Sequence, residues 1–156
     1  MKQILSILFF LVLFITSCSD SVSTEQERPK TPEELKMELK NQELNDPTTY
    51  LSAENVTMTE NKVKTREAGL FRDDEYKTDG YFIEGNIKNT ATIAKYKDVI
   101  LTVTLFSQTE TVIEEKDYVV YEFYAPNSVS SFSFKINPPS ATNKFNVAVK
   151  GAKPAN

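Results

Sequence analysis

The chain has 156 residues, with 18 Lys+Arg against 22 Asp+Glu, no His, no Trp and one Cys. Without His, and with a single Cys, it has no means of building a Cys/His zinc site, a Ser-His-Asp triad, a Cys-His dyad or an intramolecular disulfide. Its mild acidity and lack of a basic cluster argue against nucleic acid, whose binding depends on Lys and Arg neutralising phosphates, and against electrostatic docking onto anionic lipid.

Residues 1–17 are laid out as a signal peptide. Lys2 supplies a small basic start, and Ile4 to Ile15 is an apolar run broken only by Ser6. The run is too short to span a bilayer comfortably. It ends in Ile15-Thr16-Ser17-Cys18, which resembles the lipobox of bacterial lipoproteins: an aliphatic residue, two small ones, then the Cys that is acylated. The resemblance implies cleavage before Cys18, acylation of Cys18 as the new N-terminus, and a lipid-anchored place at the outer membrane of the cell envelope. Each buried acyl methylene contributes roughly 0.8 kcal/mol, and durable anchoring takes more than one chain, which a multiply acylated, palmitate-bearing Cys supplies. The membrane is thus the first expected partner, held by lipid and not by protein charge.

Residues 18–31 are polar apart from Val22 and read as a solvated tether that, fully extended, reaches on the order of 40 Å. Ser19-Asp20-Ser21 resembles the acidic export signal of surface lipoproteins of the Bacteroidota, and Asp20-Ser21-Val22 resembles their O-glycosylation triplet. Thr31-Pro32-Glu33-Glu34 then predicts a helix over 32–46: Thr31 caps, Pro32 suits the first position, and Glu34 completes a capping box. Its apolar residues are Leu35, Met37, Leu39 and Leu44, so only a thin stripe at 35 and 39 is available for packing. Asn45-Asp46-Pro47 ends it.

From Tyr50 the apolar period changes to two. The alternation predicts strands at 50–59, 62–71, 81–89, 97–107, 111–123, 129–137 and 143–150, within a β-domain spanning 48–151 and followed by a tail at 152–156. Asp79-Gly80 reads as a hairpin turn, and 62–79 is open to a hairpin or an inserted loop. Inward faces follow from parity: Tyr81, Ile83, Gly85 and Ile87; Val99, Leu101, Val103 and Leu105; Phe132, Phe134 and Ile136; Phe145, Val147 and Val149. The fold class is all-β, an antiparallel β-sandwich of about seven strands.

Gly85-Asn86-Ile87-Lys88-Asn89, the run Asp98 to Ser107, Val112-Ile113 and Tyr124-Ala125-Pro126-Asn127-Ser128 before Phe132 together resemble the order in FxLYD-type immunoglobulin-like modules of bacterial envelope proteins. Where that pattern has Phe, Tyr and Asp, this chain has Val103, Phe106 and Ser107. The N-terminal segment, from Pro32-Glu33-Glu34-Leu35 to Tyr50-Leu51, is similar to small lipoproteins of the Bacteroidota. The resemblance implies an extracytoplasmic immunoglobulin-like sandwich of binding or assembly type and carries over no catalytic residue.

Three constellations bear chemistry. Asp73, Asp74, Glu75 and Asp79 lie near enough in sequence to offer oxygens to calcium, but the order departs from the EF-hand loop, and a solvated hairpin tip explains them as well. Tyr118, Tyr121, Glu122 and Tyr124 form the candidate ligand or partner face, because aromatic rings beside a carboxylate suit a sugar or a partner loop. Glu110, Glu114, Glu115 and Glu122 are the acids available for glycoside hydrolysis, though adjacent acids on a strand point to opposite faces. The sequence therefore leads to a lipid-anchored, non-enzymatic envelope protein without cofactor, whose sandwich binds or assembles with an envelope partner or a glycan. A passive structural lipoprotein is the alternative, and a small carboxylate-based hydrolase stands third.

Overall fold

The computed structural model describes residues 28–69 and 71–155. Residues 1–27, which hold the expected signal peptide at 1–17, Cys18 and most of the expected tether, lie outside the described residues. The unit that begins at Thr31 opens with α1 (Pro32–Asn45), whose capping box forms as its residues dictate: Thr31 N donates to Glu34 Oε2 at 2.8 Å and Glu34 N donates to Thr31 Oγ1 at 3.3 Å. The thin stripe does not pack. Leu35 and Leu39 are 52% and 39% exposed, and the helix meets the domain through its last turn, where Glu43 is buried and Leu44 half-buried. A single turn, α2 (Pro47–Tyr50), follows Asp46, which accepts from the Thr48 and Thr49 hydroxyls.

Six strands complete the fold: β1 (Leu51–Arg66), β2 (Glu75–Asn89), β3 (Tyr96–Phe106), β4 (Val112–Tyr124), β5 (Ser128–Ile136) and β6 (Lys144–Pro154). They form two antiparallel three-stranded sheets, ordered β1-β2-β5 and β4-β3-β6, in an all-β sandwich-like arrangement. The expected seventh strand is absent because 50–59 and 62–71 are one strand that ends at Arg66. The predicted tail is also mostly strand, since Tyr96 pairs with Pro154.

Asp79-Gly80 is a bulge inside β2, not the hairpin turn that its residue types suggest. Glu60 pairs with Tyr81 and Lys62 with Thr78, so β2 holds one residue more than β1 there. The Asn61 side chain fills the gap by donating to the Asp79 carbonyl at 2.9 Å. Residues 62–79 are accordingly part of a hairpin. Its arms, Lys62–Arg66 and Glu75–Thr78, run beyond the Tyr81–Ile136 pair that ends the β2–β5 ladder, and its tip holds a Gly69–Arg72 bridge.

The buried layer between the sheets comes from Ile83 and Ile87 of β2, Phe132 and Ile136 of β5, and Val99, Leu101, Val103 and Leu105 of β3. Tyr96 also faces inward, although it differs in parity from Val99. Asp98, at φ 50°, sits in the left-handed region between them and shifts the phase.

Gly80 is the position where the backbone demands glycine. It lies at φ 76°, and a Cβ there would meet the Ile136 carbonyl oxygen at 2.7 Å. Gly80→Ala is expected to cost roughly 2–4 kcal/mol through left-handed strain and overpacking. Calorimetric melting checks this; an unchanged midpoint would mean the bulge relaxes freely.

Candidate functional site

The end of the sandwich that receives α1 is held by two buried polar side chains. Asn89, the last residue of β2, donates from Nδ2 toward the carbonyls of Ala94, Tyr124 and Ala125 at 3.0–3.2 Å, while its Oδ1 accepts from Ala91 N at 3.0 Å. It ties the β2–β3 connection to the end of β4. Glu43, 1% exposed, takes four donors from that same connection: Thr92 N at 2.8 Å, Thr92 Oγ1 at 2.7 Å, Ile93 N at 2.9 Å and Ala94 N at 2.7 Å. Tyr96 Oη donates to the Glu43 carbonyl at 2.5 Å. Burial works to raise the Glu43 pKa, but the Thr92 amide and hydroxyl and the Ala94 and Ile93 amides outweigh it and hold the carboxyl below its ordinary value. The same burial, reinforced by the negative charge of Glu43, pushes the Tyr96 phenol up to about 12. Neither Glu43 nor Asn89 stands out in the sequence: one is an acid on a polar helix, the other reads as a turn residue.

The four residues of the expected ligand face are divided between two environments. Tyr124 is fully buried, and burial together with the nearby Glu122 pushes its phenol up to about 12. Tyr118 is half-buried and stacks on Phe134 with ring centroids 4.5 Å apart. Tyr121 and Glu122 are exposed. The expected grouping of Tyr118 and Tyr124 beside Glu122 as a free surface therefore fails, since the inward parity of β4 commits both rings to the core. What the outer face of β4 presents is Val119, Tyr121 and Phe123, at 40%, 79% and 63% exposure, with Lys95 Nζ over the Phe123 ring at 4.5 Å. Because β4 is an edge of its sheet, this apolar strip adjoins a row of unpaired backbone groups.

The acids proposed for calcium do not converge. Asp74 accepts from Ala68 N at 2.6 Å and pairs with Lys64 at 2.8 Å; Glu75 pairs with Arg66 at 3.4 Å; Asp79 pairs with Lys135 at 2.6 Å. Asp73 is exposed in the hairpin tip. Among the described residues no three acids form a group able to hold a metal ion. Of the acids considered for hydrolysis, Glu110 pairs with Lys144 at 3.5 Å, Glu115 is exposed, and Glu114 lines a cleft of about 160 Å³ with Lys116, Tyr118 and Lys135. Glu122 borders a different depression, so these acids do not share one.

Among the described residues no helix is long and apolar enough to cross a membrane. Comparison of the chain with known protein families, with curated proteins and with solved structures finds no match.

Glu43→Ala leaves several buried N–H and O–H donors without an acceptor, an effect expected to cost roughly 3–5 kcal/mol. The α1 segment should become protease-sensitive in that variant. In the wild type, a carboxyl whose folded pKa lies below its ordinary 4.5 contributes stability that is full above that value and lost as pH falls through the folded value. Acid titration of the melting temperature should therefore fall below about pH 4.5 in the wild type and be flatter in Glu43→Ala; parallel curves would contradict the assignment. The two buried tyrosines should also separate. The Tyr124 hydroxyl has no hydrogen-bond partner among the described residues, so Tyr124→Phe should be neutral or stabilising, whereas Tyr96→Phe removes a hydrogen bond and should cost about 1 kcal/mol, several degrees of melting temperature.

Proposed function

We propose that the protein is a lipid-anchored envelope lipoprotein whose β-sandwich is a non-catalytic binding module, holding a partner envelope protein against the outer face and free edge of β4. The observation that carries this reading is the exposed strip Val119, Tyr121 and Phe123 on an edge strand. Aromatic residues bring large, rigid contact area at small entropic loss, and an unpaired edge accepts an added strand through main-chain hydrogen bonds, so one surface offers both specificity and affinity. The lipobox-like Ile15-Thr16-Ser17-Cys18 supports acylation at Cys18 and an outer-membrane location. The FxLYD-type resemblance is consistent with an assembly role. A passive envelope component would have no use for such a strip, and the acids named for hydrolysis, Glu110, Glu114, Glu115 and Glu122, are not brought to one cleft.

Two expected outcomes test this. Cys18→Ser should shift the protein from the membrane fraction to a soluble or unprocessed form, and undiminished membrane association would sink the anchor. Tyr121→Asp should abolish copurification of a dominant envelope protein from mildly crosslinked cells with little change in melting temperature, since the ring is outside the core. Unchanged copurification would move the partner surface elsewhere.

A further inference from the structure

A depression of about 640 Å³ lies along β2 and β5 and is also bordered by β4 of the other sheet; its size is within the roughly 300–1,000 Å³ usual for ligand sites. Strand register builds it. Thr57, Glu84 and Ser133 stand side by side across the three strands, and Asn86 and Ser131 form the next row. On β1 Glu54 pairs with Asn86, and Asn55, at φ 53° in the register shift between Glu54 and Thr57, borders the depression. Val120 and Glu122 of β4, from the other sheet, also line it, as do Gly85 and the largely buried Phe132.

The lining is selective in what it lacks. No Lys or Arg borders the depression, although it holds two carboxylates. Elsewhere in the domain Asp74, Glu75, Asp79, Asp98 and Asp117 each have a Lys or Arg within ion-pair distance. Glu84 instead accepts from the Ser133 hydroxyl at 3.3 Å, and neither it nor Glu122 has a cation in ion-pair range among the described residues. Two acceptor-only carboxylates, two amides that both donate and accept, and three hydroxyls suit a ligand with many hydroxyl groups. The carboxylates repel an anionic polymer, and the polar groups, which outnumber Val120 and Phe132, disfavour a wholly apolar ligand.

We propose that this depression is a binding site for a neutral glycan, lying across the strands with Glu84 and Glu122 accepting from sugar hydroxyls and Asn55 and Asn86 bonding in both senses. The site is separate from the aromatic strip of β4, and its occupation does not require the protein partner proposed above.

The experiment is affinity electrophoresis of the full chain, purified in detergent, through native gels containing dextran, mannan, xylan or glycogen, with polygalacturonate as the anionic control. At least one neutral polymer should retard the protein and polygalacturonate should not. Glu84→Ala and Ser131→Trp should each weaken the retardation by about tenfold or more, because the first removes an acceptor and the second fills the depression. Tyr121→Asp should leave it intact, which separates failure of this site from failure of the β4 strip. Retardation by none of the neutral polymers overturns the proposal, as does equal retardation by polygalacturonate. Retardation that survives in folded Glu84→Ala or Ser131→Trp also overturns it, folding being judged by an unchanged melting curve.

Discussion

One apolar layer between two three-stranded sheets carries the fold, because a chain with a single Cys has no internal disulfide to constrain it. Ile83, Ile87, Val99, Leu101, Val103 and Leu105 form its centre, and the paired Tyr96 and Tyr124 close it at the end where α1 docks. At roughly 25 cal/mol per Å² of apolar area removed from water, side chains of this size supply the main favourable term. The layer also fixes which residues are available for function. Once β4 turns Tyr118 and Tyr124 inward, Val119, Tyr121 and Phe123 are left on the outside.

At the helical end the polar interactions decide what apolar burial does not. With Leu35, Met37 and Leu39 exposed, α1 has little hydrophobic reason to dock. It docks by placing one carboxylate among the amides of residues 92–94, where four hydrogen bonds offset the cost of burying a charge. Asn89 braces the same connection from beneath. The opposite end of the sandwich is built differently: the hairpin beyond the Gly80 bulge is a two-stranded ribbon with Lys64–Asp74 and Arg66–Glu75 pairs along it and an exposed Phe71 near its tip. Exposed pairs of this kind contribute little stability. The helix-docking end is thus fastened to the core, and the ribbon end is not.

Local patterns in the chain foretell whatever local physics determines. The capping box at Thr31 and Glu34 needs only four residues, and inward parity from Ile83 to Ile87 and from Val99 to Leu105 needs only a pleat. Contacts between distant segments are invisible to such patterns. Glu43 meets Thr92 at a sequence separation of 49, and no feature of the helix distinguishes it from Glu38. The Asp79-Gly80 pair carries the residue types of a turn, but a bulge requires the same left-handed glycine, and only the pairing of Glu60 with Tyr81 tells the two apart. The aromatic run of β4 marks the right strand, while the sorting of its rings into core and surface depends on how β4 pairs with β3 around Asp98.

The outer face of β4 is proposed above as a partner surface of an anchored envelope protein. Photocrosslinking in intact cells tests it most directly, with a benzophenone amino acid placed at Tyr121 and, for comparison, at Phe71 and Val129, all of them exposed. A discrete adduct with an envelope protein is expected from position 121, absent from 71 and 129 and lost when Cys18 is replaced by Ser. Adducts that form equally from all three positions, or none from 121, would contradict it.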